Sequence, residues 1–321
     1  MAASPNPCGP ALAGWCGRHL QNPQQVAVAY SAGADSTALL LAAHERWPGR
    51  VMAIHIHHGL HAAADAFENL ALDLCARLGV PIRVCRVDAR HAPGQSPEDA
   101  ARRARYHALA ATAREQGADA VLLGQHADDQ AETVLLALSR GAGLPGLAGM
   151  AERFERDGVL FGRPLREMAS QTLRDWLLHD GHPFVDDPTN ADARYTRNRI
   201  RAVLTPAWQA CFPGYREALA RSARHAAQAQ SLLDELAESD LALTGNPPVI
   251  AAVQALSRAR QANVLRLWLR RCAGTAPSEV QLDELLDQID ACRTRGHGLR
   301  IRVAAGLVVR DADRLRYDRP I

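Results

Sequence analysis

Four short apolar runs, at residues 26–30, 51–56, 82–87 and 120–124, are separated by stretches at 36–47, 62–78 and 97–116 whose apolar residues recur with helical spacing. Apolar runs without polar alternation are the mark of strands buried on both faces. Strands that alternate with helices need right-handed crossovers, which produce a parallel, doubly wound α/β sheet. Such sheets bind ligands at the carboxyl ends of their strands, beside the point where strand order reverses. The loops after the strands are therefore where chemistry is expected. Beyond Pro206 the pattern changes. An Ala- and Arg-rich helical run follows Pro213-Gly214, and Gly245-Asn246-Pro247-Pro248 breaks it. Further helices lead to residues 299–317, where apolar residues and arginines alternate around Gly306 as in a small hairpin region. The expectation is an α/β domain over 1–213 and a smaller, mostly helical domain over 214–321.

Composition narrows the chemistry. All 37 residues of the combined lysine and arginine count are arginine. Schiff-base lysine chemistry and a Walker-A lysine are thereby excluded. Any phosphate must be held by arginine forks, backbone N–H groups or a metal. The seven cysteines are scattered with no C-x-x-C pair, which argues against a zinc ribbon, an iron–sulfur cradle or a redox dithiol. No run approaches the ~18 apolar residues of a membrane span. The first fifteen residues lack the basic start and apolar core of a signal peptide, so a cytoplasmic protein with no membrane partner is expected. The net charge is only +2, but it is unevenly spread. Residues 194–224 hold seven arginines and one acid, while 258–271 and 293–310 each hold five arginines and no acid. A polyanion footprint and solvated helix faces both account for such counts.

The most informative motif is Ser31-Ala32-Gly33-Ala34-Asp35-Ser36, between the first strand and a helix. A small-residue loop at a helix start aims several N–H groups at one spot, where the helix dipole favours an anion. Ser31 and Ser36 add hydroxyl donors, and Asp35 suits Mg²⁺ on a polyphosphate. The plainer reading is a strand–turn–helix link with Asp35 or Ser36 as N-cap. The second strand ends in His55-Ile56-His57-His58. No neighbouring carboxylate completes a zinc shell there, so packing against an adenine is the better expectation. Glu98, Arg102 and Arg105 share one helix face, as a salt-bridge ladder or as a phosphate or anticodon contact. After the fourth strand come His126, Asp128, Asp129 and Glu132, more acids than helix capping needs. That excess favours a site for a cation or a metal–phosphate. Arg140-Gly141-Ala142-Gly143 follows, and then a turn-rich loop at 186–190 leading to Arg197 and Arg201 on one helical face.

The hexapeptide resembles the S-G-G-x-D-S loop of the PP-loop ATP pyrophosphatases, with Ala32 where the first glycine is usual. Joined in order with His57-His58-Gly59-Leu60, the segments at 98–106 and 126–133, Arg140-Gly141-Ala142-Gly143, Arg163-Pro164-Leu165 and the segments at 187–190 and 197–201, it resembles the tRNA(Ile)-lysidine synthases over residues 26–206. The remainder is only loosely similar to that family's substrate-binding appendage, and the chain is expected to lack the extra C-terminal domain of longer members. The resemblance implies ATP and Mg²⁺, free lysine, and an isoleucine tRNA with a CAU anticodon as partners. ATP would sit on Ser31, Ala32, Gly33, Ala34, Asp35 and Ser36, beside His57 and His126, with Asp35 on the metal. Asp129 and Glu132 would hold lysine or help deprotonate it, and Arg105 would neutralise phosphate charge, which completes a catalytic set with Asp35. Arg102, Arg105, Arg140, Arg197 and Arg201 would meet tRNA. Gln125 stands where relatives often have histidine. Oligomeric state, a homodimer included, is left open. Rival readings are another PP-loop enzyme, such as a tRNA cytidine thiolase or an amide-forming ligase, and a non-catalytic nucleotide- or RNA-binding module.

Overall fold

A computed structural model describes residues 4–57, 63–87, 97–187, 192–294 and 297–319, with only the backbone described for Ala63, Pro97, Glu98 and Asp99. The chain divides into two compact units, Met1–Arg224 and His225–Ile321.

The first unit runs α1 (Cys8–His19), β1 (Val26–Ala29), α2 (Ala34–Arg46), β2 (Val51–His57), α3 (Ala63–Leu78), β3 (Ile82–Arg86), α4 (Pro97–Glu115), β4 (Ala120–Leu123), α5 (Ala127–Ser139), α6 (Leu144–Leu147), β5 (Arg153–Arg156), β6 (Val159–Gly162) and α7 (Ser170–His179). It continues through α8 (Thr196–Arg199), a π-helical turn (Ile200–Leu204), α9 (Thr205–Cys211) and the start of α10 (Tyr215–Thr244). Among the described residues, six strands form one sheet in the order β3-β2-β1-β4-β6-β5. All neighbours are parallel except β5, which runs antiparallel along β6. The four strands expected from the sequence occupy the positions assigned to them. The β5–β6 hairpin was not anticipated, because its polar–apolar alternation in Arg153–Arg156 is that of an edge strand.

Each face of the sheet has its own core. Successive side chains in a strand point to opposite faces. Val26, Val28 and Tyr30 therefore join Leu12, Trp15, Leu39, Leu40, Leu74 and Leu173 on one side. Ala27, Ala29, Met52 and Ile54 join Tyr106, Leu109 and Phe161 on the other. On that second side Phe154 stacks on Phe161, and Tyr106 meets both rings edge-on.

The order reverses between β1 and β4, since the chain steps outward to β2 and β3 and then crosses back. Open α/β sheets place a ligand crevice at such a point. The loops after β1 and β4 thus lie side by side, and Gly124 makes their approach feasible. A methyl at position 124 would lie 3.0 Å from the Ser36 nitrogen and 3.1 Å from its Cα. Forcing extra carbon into a packed site costs about 1–3 kcal/mol. Gly124→Ala is expected to lower stability by about that amount in a urea titration, and to weaken ATP binding by displacing the loop.

The second unit holds the rest of α10, then α11 (Ile250–Gln254), α12 (Arg258–Ala273) and α13 (Glu279–Ala291). Strands β7 (Arg300–Val303), β8 (Gly306–Asp311) and β9 (Arg314–Asp318) follow as an antiparallel meander, one strand more than a hairpin. Leu241, Val264, Trp268, Leu285, Ile289, Val308 and Leu315 form its core. No helix among the described residues is long and apolar enough to cross a membrane.

The local charge counts read differently in three dimensions. Of the five arginines at 258–271, Arg258 pairs with Asp287 and Asp290, Arg260 with Asp240, Arg270 with Asp234 and Arg271 with Glu238. Acids from α10 and α13 neutralise a stretch that contains none of its own. Among the described residues, only Arg266 of these five lacks an ion pair.

Candidate active site

The loop after β1 is built on left-handed backbone. Ala32 has φ = 64°, a conformation that costs an alanine on the order of 1–2 kcal/mol. The N-cap of α2 is Gly33, so neither Asp35 nor Ser36 caps the helix, as the plainer sequence reading would have it. The Ser36 hydroxyl instead donates to the Gly33 carbonyl (3.0 Å) and accepts from the Ser31 N–H (3.2 Å). The Val185 N–H donates to the Ala32 carbonyl at 2.9 Å, which braces the strained turn from outside. Ser31 is exposed at the mouth, while Ala32, Ala34 and Ser36 are buried.

Asp35 stands in the first turn of α2, half-buried. Its Oδ1 accepts from the Ser170 hydroxyl at 2.8 Å, and its Oδ2 lies 3.5 Å from His126 Nε2. Burial raises the Asp35 carboxyl above its ordinary value, while His126 and Ser170 pull it back. Hard carboxylate oxygen in a partly open site suits Mg²⁺, so the donor chemistry fits the metal that the sequence reading placed here.

His126 is the N-cap of α5 and is buried. Its Nε2 is 3.4 Å from Asp129, and its Nδ1 is 3.6 Å from Asp128. Burial alone would lower the imidazole pKa, but Asp128, Asp129 and Asp35 outweigh it and raise the value to about 9. The ring is therefore a cation that balances three acids in the ligand-free protein. Because the folded value of about 9 exceeds the unfolded 6.5, this stabilisation is full below pH 6.5 and is lost as pH rises through about 9. Thermal melting of the ligand-free protein should fall over that window, and His126→Gln should flatten the decline. An unchanged slope would remove the charge assignment.

The acids after His126 have separate tasks. Asp129 Oδ2 accepts from the His126 backbone N–H at 3.2 Å, which satisfies one donor at the start of α5. Asp128 accepts from Arg216 Nε, from the Ser170 N–H (3.0 Å) and from the Tyr215 hydroxyl (3.4 Å). Burial would raise the Asp128 carboxyl, but His126, the Ser170 N–H and Arg216 hold it well below the usual range. Glu132, 2% exposed, is gripped by Arg201 through Nε (2.8 Å) and Nη2 (3.1 Å). Burial raises the Glu132 carboxyl above its ordinary value, and Arg201 opposes that shift.

The remaining expected residues are placed as follows. Arg102 lies over the Tyr106 ring at 5.0 Å, while Arg105 and Arg140 are exposed. Arg197 donates to the Thr133 hydroxyl at 3.2 Å, so Arg197 and Arg201 both face α5. His57 is buried, and its Nε2 is 3.0 Å from Asp65 and 3.8 Å from Glu68. The expectation that no carboxylate stands near these histidines is thus corrected. Both acids come from α3, beyond a loop, where local spacing gave no warning of them. Arg86 already holds Glu68 through two bonds of 2.9 and 3.1 Å. His55 Nδ1 donates to the Tyr30 carbonyl (2.9 Å), a role inside the core. His58, Gly59, Leu60 and the segment 188–190 lie outside the described residues, as does the side chain of Glu98.

Two residues escaped the sequence reading as participants. Ser170 had no motif around it. Arg163 belonged to a quoted motif without a role. It is buried and bonds Gln125 Oε1, the Ala151 carbonyl (2.6 Å) and the Tyr106 hydroxyl (3.4 Å), with Phe154 under its guanidinium. Gln125 is therefore an anchor for a buried arginine.

Comparison with known proteins agrees with this architecture. Residues 14–208 match the model of the PP-loop domain, and residues 249–316 match that of the TilS substrate binding domain. The tRNA(Ile)-lysidine synthase of Polaromonas naphthalenivorans is 58% identical over 99% of this chain and 98% of its own length. That of Bordetella pertussis is 42% identical over 90% of this chain and 94% of its own. The chain spans 59% of the length of the Burkholderia pseudomallei protein of the same name, at 43% identity. Among solved structures, the U34-tRNA thiolase NcsA from Methanococcus maripaludis superposes with a TM-score of 0.57 at 17% identity, over 68% of this chain and 77% of that one, a likeness of fold alone. With two domain models in the expected order and near-full-length relatives at this identity, the chain belongs to the tRNA(Ile)-lysidine synthase family.

Proposed function

We propose that this protein is a carbon–nitrogen ligase that converts the wobble cytidine of a CAU-anticodon isoleucine tRNA to lysidine. The observation that carries the reading is the meeting of two loops at one strand reversal. One offers N–H groups, hydroxyls and Asp35, and the other offers Asp129 and Glu132. A pocket of that kind stabilises charge on a polyphosphate and receives a cationic amine without supplying a nucleophile of its own.

In the first step the cytidine O2 attacks the α-phosphorus of ATP. The bond to the β-phosphate oxygen breaks, and pyrophosphate departs with the electron pair. In the second step the ε-amine of free lysine attacks C2, the C2–O2 bond breaks, and AMP leaves carrying that oxygen. The loop at 31–36 orients the triphosphate, and Arg105 neutralises its charge. Magnesium, when bound to Asp35, supplies charge neutralisation on the phosphates. Asp129 and Glu132 hold lysine's ammonium groups and take the proton that the amine must lose.

Residues 1–213 are assigned the nucleotide chemistry, and 214–321 the grip on tRNA. Arg102, Arg105, Arg140, Arg197 and Arg201 are proposed to contact the tRNA, whose target base must leave its stack to reach a pocket. Arg216, Arg221 and Arg224 line a hollow beside Ala127 and support a phosphate-tracking surface in the first unit. The reaction is assigned to the cytoplasm. Incubation with CAU-anticodon tRNA, ATP and labelled lysine should place label on the wobble base and release AMP and pyrophosphate. ATP binding with no AMP release under those conditions would instead favour a non-catalytic nucleotide-binding module.

A further inference from the structure

We propose that Ser170 is a positioning residue of the nucleotide site, whose hydroxyl holds Asp35 in the orientation that presents its second oxygen to the metal-bound triphosphate. This rests on the reading that Asp35 faces magnesium–ATP. Ser170 opens α7, directly after the extended residue Ala169. Its side chain and its backbone face two different loops. The hydroxyl donates to Asp35 Oδ1 at 2.8 Å, and the N–H donates to Asp128 Oδ2 at 3.0 Å. That N–H is one of the orphan donors of a helix start, so the bond to Asp128 costs α7 nothing. One residue earlier but one, the Met168 carbonyl accepts from the Ala127 N–H at 2.8 Å. The segment 168–170 therefore ties the first turn of α2 to the first turn of α5.

The division of the Asp35 carboxylate follows from this. Among the described residues, Ser170 is the one side chain with a hydrogen bond to Oδ1, while Oδ2 looks toward His126 at 3.5 Å. Without the hydroxyl the carboxylate is free to rotate about its terminal torsion, which has a broad, roughly two-fold profile. A ligand must then pay the ordering that the protein now supplies in advance.

The test is calorimetric titration of the full chain with magnesium–ATP, without tRNA or lysine. Ser170→Ala should weaken binding about tenfold, the loss typical of a hydrogen bond to a charged group. Ser170→Thr keeps the hydroxyl and should bind as the parent does. Adenosine, which lacks phosphates, should bind both variants equally. In turnover the KM for ATP should rise in Ser170→Ala while the KM for lysine stays put. In an Asp35→Ala background the Ser170→Ala change should add nothing. Equal weakening in the alanine and threonine variants, or weaker adenosine binding, would make Ser170 merely structural and overturn the proposal. If Asp35→Ala loses magnesium–ATP but Ser170→Ala does not, the positioning role fails while the assignment of Asp35 survives. If Asp35→Ala binds as the parent does, the assignment of Asp35 itself is wrong.

Discussion

Asp35→Ala should abolish transfer of labelled lysine to a CAU-anticodon tRNA, with a loss of at least the order of 10²–10³-fold expected when one preorganised electrostatic contact to a reacting phosphate is removed. The side chain is unusually committed. It is half-buried, bonded to Ser170 at Oδ1, and set 3.5 Å from a cationic His126 at Oδ2. Burial without a cation disfavours its charged form, so the protein maintains a costly acid in the first turn of α2, the helix that follows the first strand. The variant should fold, because alanine removes that desolvation cost, and a melting curve would confirm it. Retention of full activity would separate Asp35 from the phosphates altogether.

Glu132→Gln should raise the KM for lysine about 10–100-fold, the range for losing a hydrogen bond between charged groups, while the KM for ATP changes little. Glu132 lies on α5, one turn beyond Asp129, and Arg201 reaches both, at 2.8 Å and 3.9 Å. In the proposed reaction an arriving ammonium would share these two acids with the guanidinium. Glutamine keeps the shape and leaves Arg201 half-exposed with one acid in place of two, so some stability should also be lost. An unchanged KM for lysine would move the amine site away from α5.

Which parts of this were readable from the chain itself depends on how local their cause is. The four central strands were legible because parallel strands buried on both faces read as unbroken apolar runs. The edge hairpin β5–β6 was not, because an edge strand alternates like many exposed segments. The loop at 31–36 announced itself by composition and position, and its strain is confined to Ala32, where a glycine would relieve it. Ser170 could not be foreseen. Its neighbours carry no pattern, and its importance comes from two acids that are 135 and 42 residues away. The same holds for Asp65 and Glu68 beside His57, and for Arg163 under Gln125.

Charge shows the limit most clearly. The arginine-rich stretch at 258–271 contains no acid, yet four of its five arginines end in ion pairs supplied by α10 and α13. The four central strands, their crossovers and the two loops that flank the reversal follow from the chain alone, since apolar periodicity and turn residues act over a few positions. Folding in space selected which acids converge on His126, which arginine closes on Glu132 and which hydroxyl steadies Asp35. Electrostatic and hydrogen-bond partners act through space, over a few ångströms, without regard to distance along the chain.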